Sequence, residues 1–360
     1  MQVQIYKLTF NNGFHLGAYG IGTESVRPTI PADTLFSALF STWIRLSGDP
    51  DPWTTAFPHT SNGNYTPGDP PFLLTSAFPY ANGTLFFPRP LTASLPELKQ
   101  DHRKDKKDWK KVKFIAEPLF WRLIHNEDTS GIWPRDWKAR QRQLLQNGAV
   151  LISPTAAGKI PSKLWTEEKI PRVTLDRTNL TSNLYTVGKT TFAPSCGLWF
   201  GVNWRHPDRA CGNTTFSEAF KQALAELSIS GLGGDRNVGQ GMFSYEMLDE
   251  ITLPEPSPQS PAVLLSRYHP RADEIPGVLR TAEAYKLEAL RGWGSSPNGQ
   301  FRRRQVQLVL EGSVLSPVSA DPLGELIDIS PLTPSGEGLI DHPVWRYGVA
   351  FLVGLGGKKI

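Results

Sequence analysis

The chain has 360 residues, 39% hydrophobic and 20% charged, with a formal net charge of +4. That balance suits one or two packed cores, since single cores rarely grow past ~300 residues, and it excludes a disordered polyanion or polycation. Two cysteines, Cys196 and Cys211, give neither a disulfide framework nor a zinc ligand set; with no signal-peptide run and no apolar run near the ~18–20 residues of a membrane span, a soluble, cytoplasmic protein without metal or cofactor is expected.

Gln2 to Phe10 reads as the first strand. Val3 and Ile5 share one face while Tyr6, Leu8 and Phe10 take the opposite phase, which predicts a bulge near Ile5. A glycine-punctuated loop runs to Pro31, and Asp33 is the expected N-cap of a helix to about Leu46, with Leu35, Phe36, Leu39, Phe40, Trp43 and Ile44 as its buried stripe. Asp49 to Pro71 is rich in Pro, Gly and Asn and reads as loop; short strands follow near Phe72–Ser76 and Thr84–Phe87. Lys99 to Lys113 holds eight Lys/Arg against three Asp, and such a run is usually a solvated face. Helix is expected from Trp137 to Gln146. Arg172 to Phe192 reads as a β-ribbon turned by an Asn/Thr/Ser segment, with Arg177, Asn179 and Lys189 along it. After a strand at Leu198–Trp204, Thr215 and Glu218 fit a capping box opening a helix buried through Phe216, Ala219, Phe220, Ala223, Leu224 and Leu227. A strand at Met242–Met247 closes this part, expected to be a domain of residues 1–250. A proline-rich stretch at 251–261 is the expected linker, and residues 262–360 form a second domain with strands near Val263–Tyr268, Ala284–Glu288, Gln305–Glu311 and Tyr347–Val353. Strand–helix–strand–strand–helix–strand in the first part is the ferredoxin-like order of RNA-recognition motifs.

The helix at 216–230 runs into Gly231-Leu232-Gly233-Gly234-Asp235-Arg236-Asn237-Val238-Gly239-Gln240-Gly241, five glycines in eleven residues. Such a loop lets backbone approach a ligand closely, and successive amides can cradle an anion beside the fork of Arg236; a plain flexible connection is the alternative. The loop lacks the dinucleotide fingerprint, which would need glycine where Arg236 stands and a strand before rather than after it. Gly188-Lys189-Thr190 ends like a Walker A motif, but Asn183 replaces its first glycine. Clustered carboxylates for two-metal nucleotide chemistry are missing at the loop.

A helix, a glycine loop and a closing strand resemble the hallmark of the RAMP superfamily of CRISPR proteins. Four further segments sharpen this to the family of the fourth subunit of the type III-A Csm effector complex. They are Pro31–Leu39, Val173-Thr174-Leu175-Asp176-Arg177, Gly292-Trp293-Gly294-Ser295-Ser296 with Arg302-Arg303-Arg304, and Leu310-Glu311-Gly312-Ser313-Val314. The resemblance implies an α+β chain of tandem ferredoxin-like (RRM-like) domains with a glycine-rich loop and a protruding β-hairpin thumb. It implies a non-catalytic subunit in antiviral defence that caps the repeat-derived 5′ tag of the guide RNA (crRNA). Its partners would be a large polymerase/cyclase-like subunit and a backbone RAMP subunit, with target RNA met only indirectly and no membrane. The RNA-facing residues would be His15, Gly17, Tyr19, Ser37, Arg177, Asn179, Lys189, Gly231, Gly233, Gly234, Arg236, Asn237, Gly239, Gly241, Arg291, Trp293, Arg302, Arg303 and Arg304. Ser37 is expected in the first turn of its helix, where free amides suit an anion. Arg302 and Arg304 are expected on one strand face with Arg303 opposite. The alternative is a RAMP endoribonuclease processing CRISPR repeat RNA, with His15 and Tyr19 as acid–base pair.

Overall fold

The computed structural model describes residues 1–17, 25–98, 103–134, 136–175, 182–296, 299–319, 322–333, 335 and 338–356. Seven elements organise the first part: β1 (Gln2–Phe10), α1 (Ala32–Ser47), β2 (Phe78–Ala81), β3 (Thr84–Pro88), β4 (Cys196–Trp204), α2 (Phe216–Ser230) and β5 (Phe243–Met247). They form one α+β layer pair. The sheet runs β5–β1–β4–β2–β3 with antiparallel pairing throughout this stretch, and Phe114–Ala116 continues it beyond β3. Tyr6 of β1 stacks on Phe200 of β4 at 5.1 Å and meets Phe220 of α2 at 5.8 Å, so α2 covers the Tyr6 face. Phe72 touches Phe36 of α1 and Phe220 of α2, placing both helices on that same face. Strand β1 needs apolar residues in both phases because it is interior to the sheet and Val3 and Ile5, on the other side, are buried as well.

The extra residue expected near Ile5 sits on the partner strand. Val3 pairs with Ile251 and Tyr6 with Met247, so Leu248, Asp249 and Glu250 oppose Gln4 and Ile5. Asp33 is not a cap. Helix α1 starts two residues earlier, behind Pro31, whose carbonyl accepts from Thr34 and Leu35, and Asp33 is fully buried within the first turn. The stretch 49–71 is more ordered than its composition suggests. Asp51–Ala56 is a short helix anchored by Trp53, and His59–Ser61 pairs with Asn64–Thr66 across an Asn62-Gly63 turn with φ of 51° and 79°. The ribbon begins earlier than read: Trp165–Leu175 pairs over its whole length with Ser182–Phe192.

Beyond residue 250, Ile251–Thr252 pairs back onto β1. Ala262–Leu264, Val314–Leu315 and Leu352–Gly354 make a three-stranded sheet. The run read as one strand at 347–353 is two, Trp345–Tyr347 and Leu352–Gly354. Trp345–Tyr347 joins Leu326–Asp328, which in turn pairs parallel with His59–Ser61 from the first part.

Cys196 and Cys211 are both buried and unpaired, and burial pushes each thiol up to about 11. Native protein at pH 8 should therefore give no rapid reaction with Ellman's reagent and two equivalents after denaturation; fast native labelling would contradict this packing.

Candidate nucleic-acid interface

The glycine loop is clamped. Gly234 N donates to His15 O at 2.8 Å, Gly241 N to Gly13 O at 2.9 Å and Leu232 N to Gly241 O at 2.9 Å. Segment 13–15 in turn lies on the ribbon: Phe14 and Thr190 exchange backbone hydrogen bonds of 2.9 Å, and His15 Nδ1–H donates to Gly188 O at 2.6 Å. Close approach is what demands the glycines. A Cβ on Gly233, at φ 98°, would run into the His15 carbonyl oxygen, and one on Gly234 would lie 2.7 Å from the His15 ring. Seven loop amides, those of residues 231, 232, 234 and 238–241, are spent on protein carbonyls, so the loop does not offer the run of free amides expected of it. What it offers is a single tight turn, Arg236–Val238, entered through Asp235 at φ 56°, with Arg236 and Asn237 exposed. Arg172 of the ribbon lies 3.7 Å from Asp235 and ties loop to ribbon. Lys189 sits across from Glu168. Gly17 bridges to Val26, while Tyr19, Arg177 and Asn179 lie outside the described residues.

Ser37 belongs to neither the loop nor an anion site. It stands in the second turn of α1, its hydroxyl donates to Asp33 O at 2.7 Å, and the turn before it already carries the Asp33 carboxylate.

A second cluster comes from the later part. Trp293–Ser296 pairs with Gly299–Arg302, which puts Trp293 directly opposite Arg302, its guanidinium 5.8 Å from the indole centre. Trp293 is 56% exposed and Arg291 is exposed, as a stacking surface requires. The expected strand alternation of the three arginines fails because the strand ends at Arg302. Arg304 is consumed inside the protein: Nε donates to Ser330 O at 2.9 Å and Nη2 lies 3.7 Å from Asp328. Arg303 is half-buried with an unpartnered Nε, and burial followed by the like charge of Arg346 holds its guanidinium below the usual arginine value.

Arg346, beside Arg303, leads into a charge network that sequence reading missed. Its Nη1 meets Asp33 at 2.5 Å; Arg267, 3% exposed, lies 3.7 Å from Asp33, 3.6 Å from Glu311 and 2.7 Å from Glu288; Glu288 also takes Arg27. Burial alone would depress the Arg267 guanidinium, but Glu311, Asp33 and Glu288 outweigh it and hold the group above its ordinary value. Among the described residues three guanidiniums, of Arg27, Arg267 and Arg346, thus meet three carboxylates, and Arg303 stands beside Arg346 as a surplus cation. The only hint in sequence was a lone arginine amid apolar residues in Leu264-Leu265-Ser266-Arg267-Tyr268. Beside this network a polar cleft of about 660 Å³ opens between Ser25–Thr29, the ribbon at Glu167–Lys169 and Glu288.

The chain thus combines an antiparallel sheet backed by two helices, a clamped glycine loop and a long ribbon, and proteins similar to it are known. Residues 257–355 match the family model of the CRISPR Csm4 C-terminal domain. The chain is 24% identical over 343 residues to the Streptococcus thermophilus "CRISPR system Cms protein Csm4", covering 92% of this chain and 94% of that protein. It is 23% identical over 290 residues to the Thermococcus onnurineus (strain NA1) protein of the same name, covering 78% and 79%. Among solved structures, a chain of a Csm3–Csm4 subcomplex of the type III-A interference complex superposes with a TM-score of 0.57 at 17% identity, covering 98% of this chain and 99% of that one. A chain of a Csm1–Csm4 cassette bound to cA4 gives 0.55 at 19% identity, covering 99% and 98%. In sequence over residues 257–355, and in fold over nearly its whole length, the chain is similar to Csm4 proteins.

Proposed function

We propose that this chain is a non-catalytic subunit of a type III-A CRISPR effector complex that caps the 5′ tag of the guide RNA. In this reading the first part is a ferredoxin-like unit, consistent with the path β5–β1–β4–β2 under two helices, and residues 262–360 form its second unit. The ribbon acts as the thumb laid on the RNA, and neighbours equivalent to Csm1 and Csm3 dock on the chain. The observation that carries the RNA reading is the loop tip. Arg236 and Asn237 project into solvent from a turn whose flanking glycines are fixed against His15, so the two side chains meet a phosphate or base edge without first paying for order. Trp293 with Arg302, and the surplus charge of Arg303, extend the same chemistry into the second part.

The test uses Arg236→Ala with Asn237→Ala, both exposed and outside the clamp. The double variant should fold normally, bind guide RNA several-fold more weakly and lose ~0.7 from the slope of log affinity against log salt, the value of one phosphate contact on a single strand. Unchanged affinity in the folded variant would remove the loop tip from the interface. Cleavage of repeat RNA by the purified wild type, abolished by His15→Ala, would replace this reading with a nuclease.

A further inference from the structure

We propose that the basic insertion forms a second single-stranded RNA-binding surface, independent of the glycine loop. Its core is the helix Arg103–Lys111. Asp105, Trp109 and Val112, at spacing i, i+4, i+7, point inward and are buried. Lys104, Lys106, Lys107, Lys110 and Lys111 occupy the remaining circumference and are exposed. Asp108 pairs with Lys111 at 2.8 Å at the edge of that face. Spacings of three and four place lysine beside lysine, which disfavours a helix by itself. The fold therefore gains nothing from this arrangement, while a polyanion would.

The face is held firmly. Asp105 pairs with Arg140 of the neighbouring helix Trp137–Gln143 at 2.7 Å, and the Trp109 indole donates to Ala93 O at 3.1 Å with Arg89 stacked 4.8 Å above it. That neighbouring helix opens on Trp137, 64% exposed, and carries exposed Lys138 and Arg142. An exposed aromatic among cations on a fixed mount is the platform on which bases stack while lysines follow phosphates. A lipid surface fits less well, because the apolar side of the lysine helix faces inward and leaves nothing to insert. An acidic protein fits less well for want of an apolar centre around which an interface could close. Lys113, just past the helix, lines the cleft at the ribbon base, so a strand leaving that cleft meets the lysine face next.

The experiment measures binding of the full chain to an unstructured 20-nucleotide RNA unrelated to any guide, across a salt series. Lys104→Gln/Lys107→Gln/Lys110→Gln keeps helix propensity and the buried contacts. It should lower affinity at least about tenfold and flatten the salt slope by ~2, at ~0.7 per phosphate. Trp137→Ala should weaken binding by roughly tenfold with little change of slope, the effect of a lost stacking partner. In an Arg236→Ala/Asn237→Ala background the lysine triple substitution should still cost its roughly tenfold and flatten the slope by ~2, whereas loss of that increment would mean one shared site and overturn the independence of the two surfaces. Photocrosslinking of 4-thiouridine RNA to wild-type protein, with peptide mapping, should label the 103–143 region even if a variant misfolds. Unchanged affinity and slope in the folded triple variant, with no crosslink there, overturns the proposal. So does a triple-variant defect seen equally with duplex RNA or phosphatidylserine vesicles while Trp137→Ala is silent.

Discussion

Arg267→Met will destabilise the protein by about 3–5 kcal/mol in urea unfolding, the scale of breaking a buried charge pair by removing one partner. Arg267 is almost wholly buried and meets three carboxylates, of which Asp33 is buried too, with Oδ1 accepting no hydrogen bond. Without the guanidinium, Asp33 keeps Arg346, Glu288 keeps Arg27, and Glu311 keeps only the Ser76 hydroxyl at 2.5 Å among the contacts described. A loss under about 1 kcal/mol would mean that solvent already screens this network.

That network also shows where sequence reading stops. Pro31-Ala32-Asp33-Thr34 has the local look of a helix start, and a short acidic residue there reads as a cap. Its partners, Arg267 and Arg346, lie more than 230 residues away, and no local rule links them. The buried stripes of α1 and α2 were legible because their periodicity is a property of the helix itself, and each apolar position expected in them apart from half-buried Ile44 is indeed buried. The three consecutive arginines misled for a related reason. Alternation holds only while the chain stays a strand, and it leaves the strand at Arg302, so Arg304 turns in to the 328–330 segment and Arg303 is left facing Arg346. The helix and hairpin at 51–66 were hidden by Pro and Asn-Gly, which mark helix starts and tight hairpins as readily as loops. Glycine density was the most visible signal and the least specific. It marks close backbone approach, and the approaching partner here is the protein's own segment 13–15.

Two glycines of one loop should therefore respond differently to the same methyl group. Gly233 has φ of 98° and its added Cβ would collide with the His15 carbonyl oxygen, backbone that cannot swing aside. Gly239 has φ of 79°, and its Cβ would touch only the end of the Met242 side chain at 3.9 Å. Gly239→Ala then carries backbone strain alone, about 1 kcal/mol at the low end for a left-handed residue, and should leave RNA affinity within a factor of two or three at ~0.6 kcal/mol of scatter. Gly233→Ala adds a steric conflict to strain that can reach ~3 kcal/mol, and it must push segment 13–15 off the loop. The pairing of His15 with Gly234 and the Phe14–Thr190 bonds then loosen together, because each is a link in one chain of contacts from loop to ribbon. Amide hydrogen exchange should accelerate at residues 14, 190 and 234 in Gly233→Ala and not in Gly239→Ala, and guide-RNA binding should fall with it although no RNA-facing side chain has changed. Equal exchange in the two variants would show that the clamp does not hold the loop, and Arg236 and Asn237 would then have to be ordered by the RNA itself.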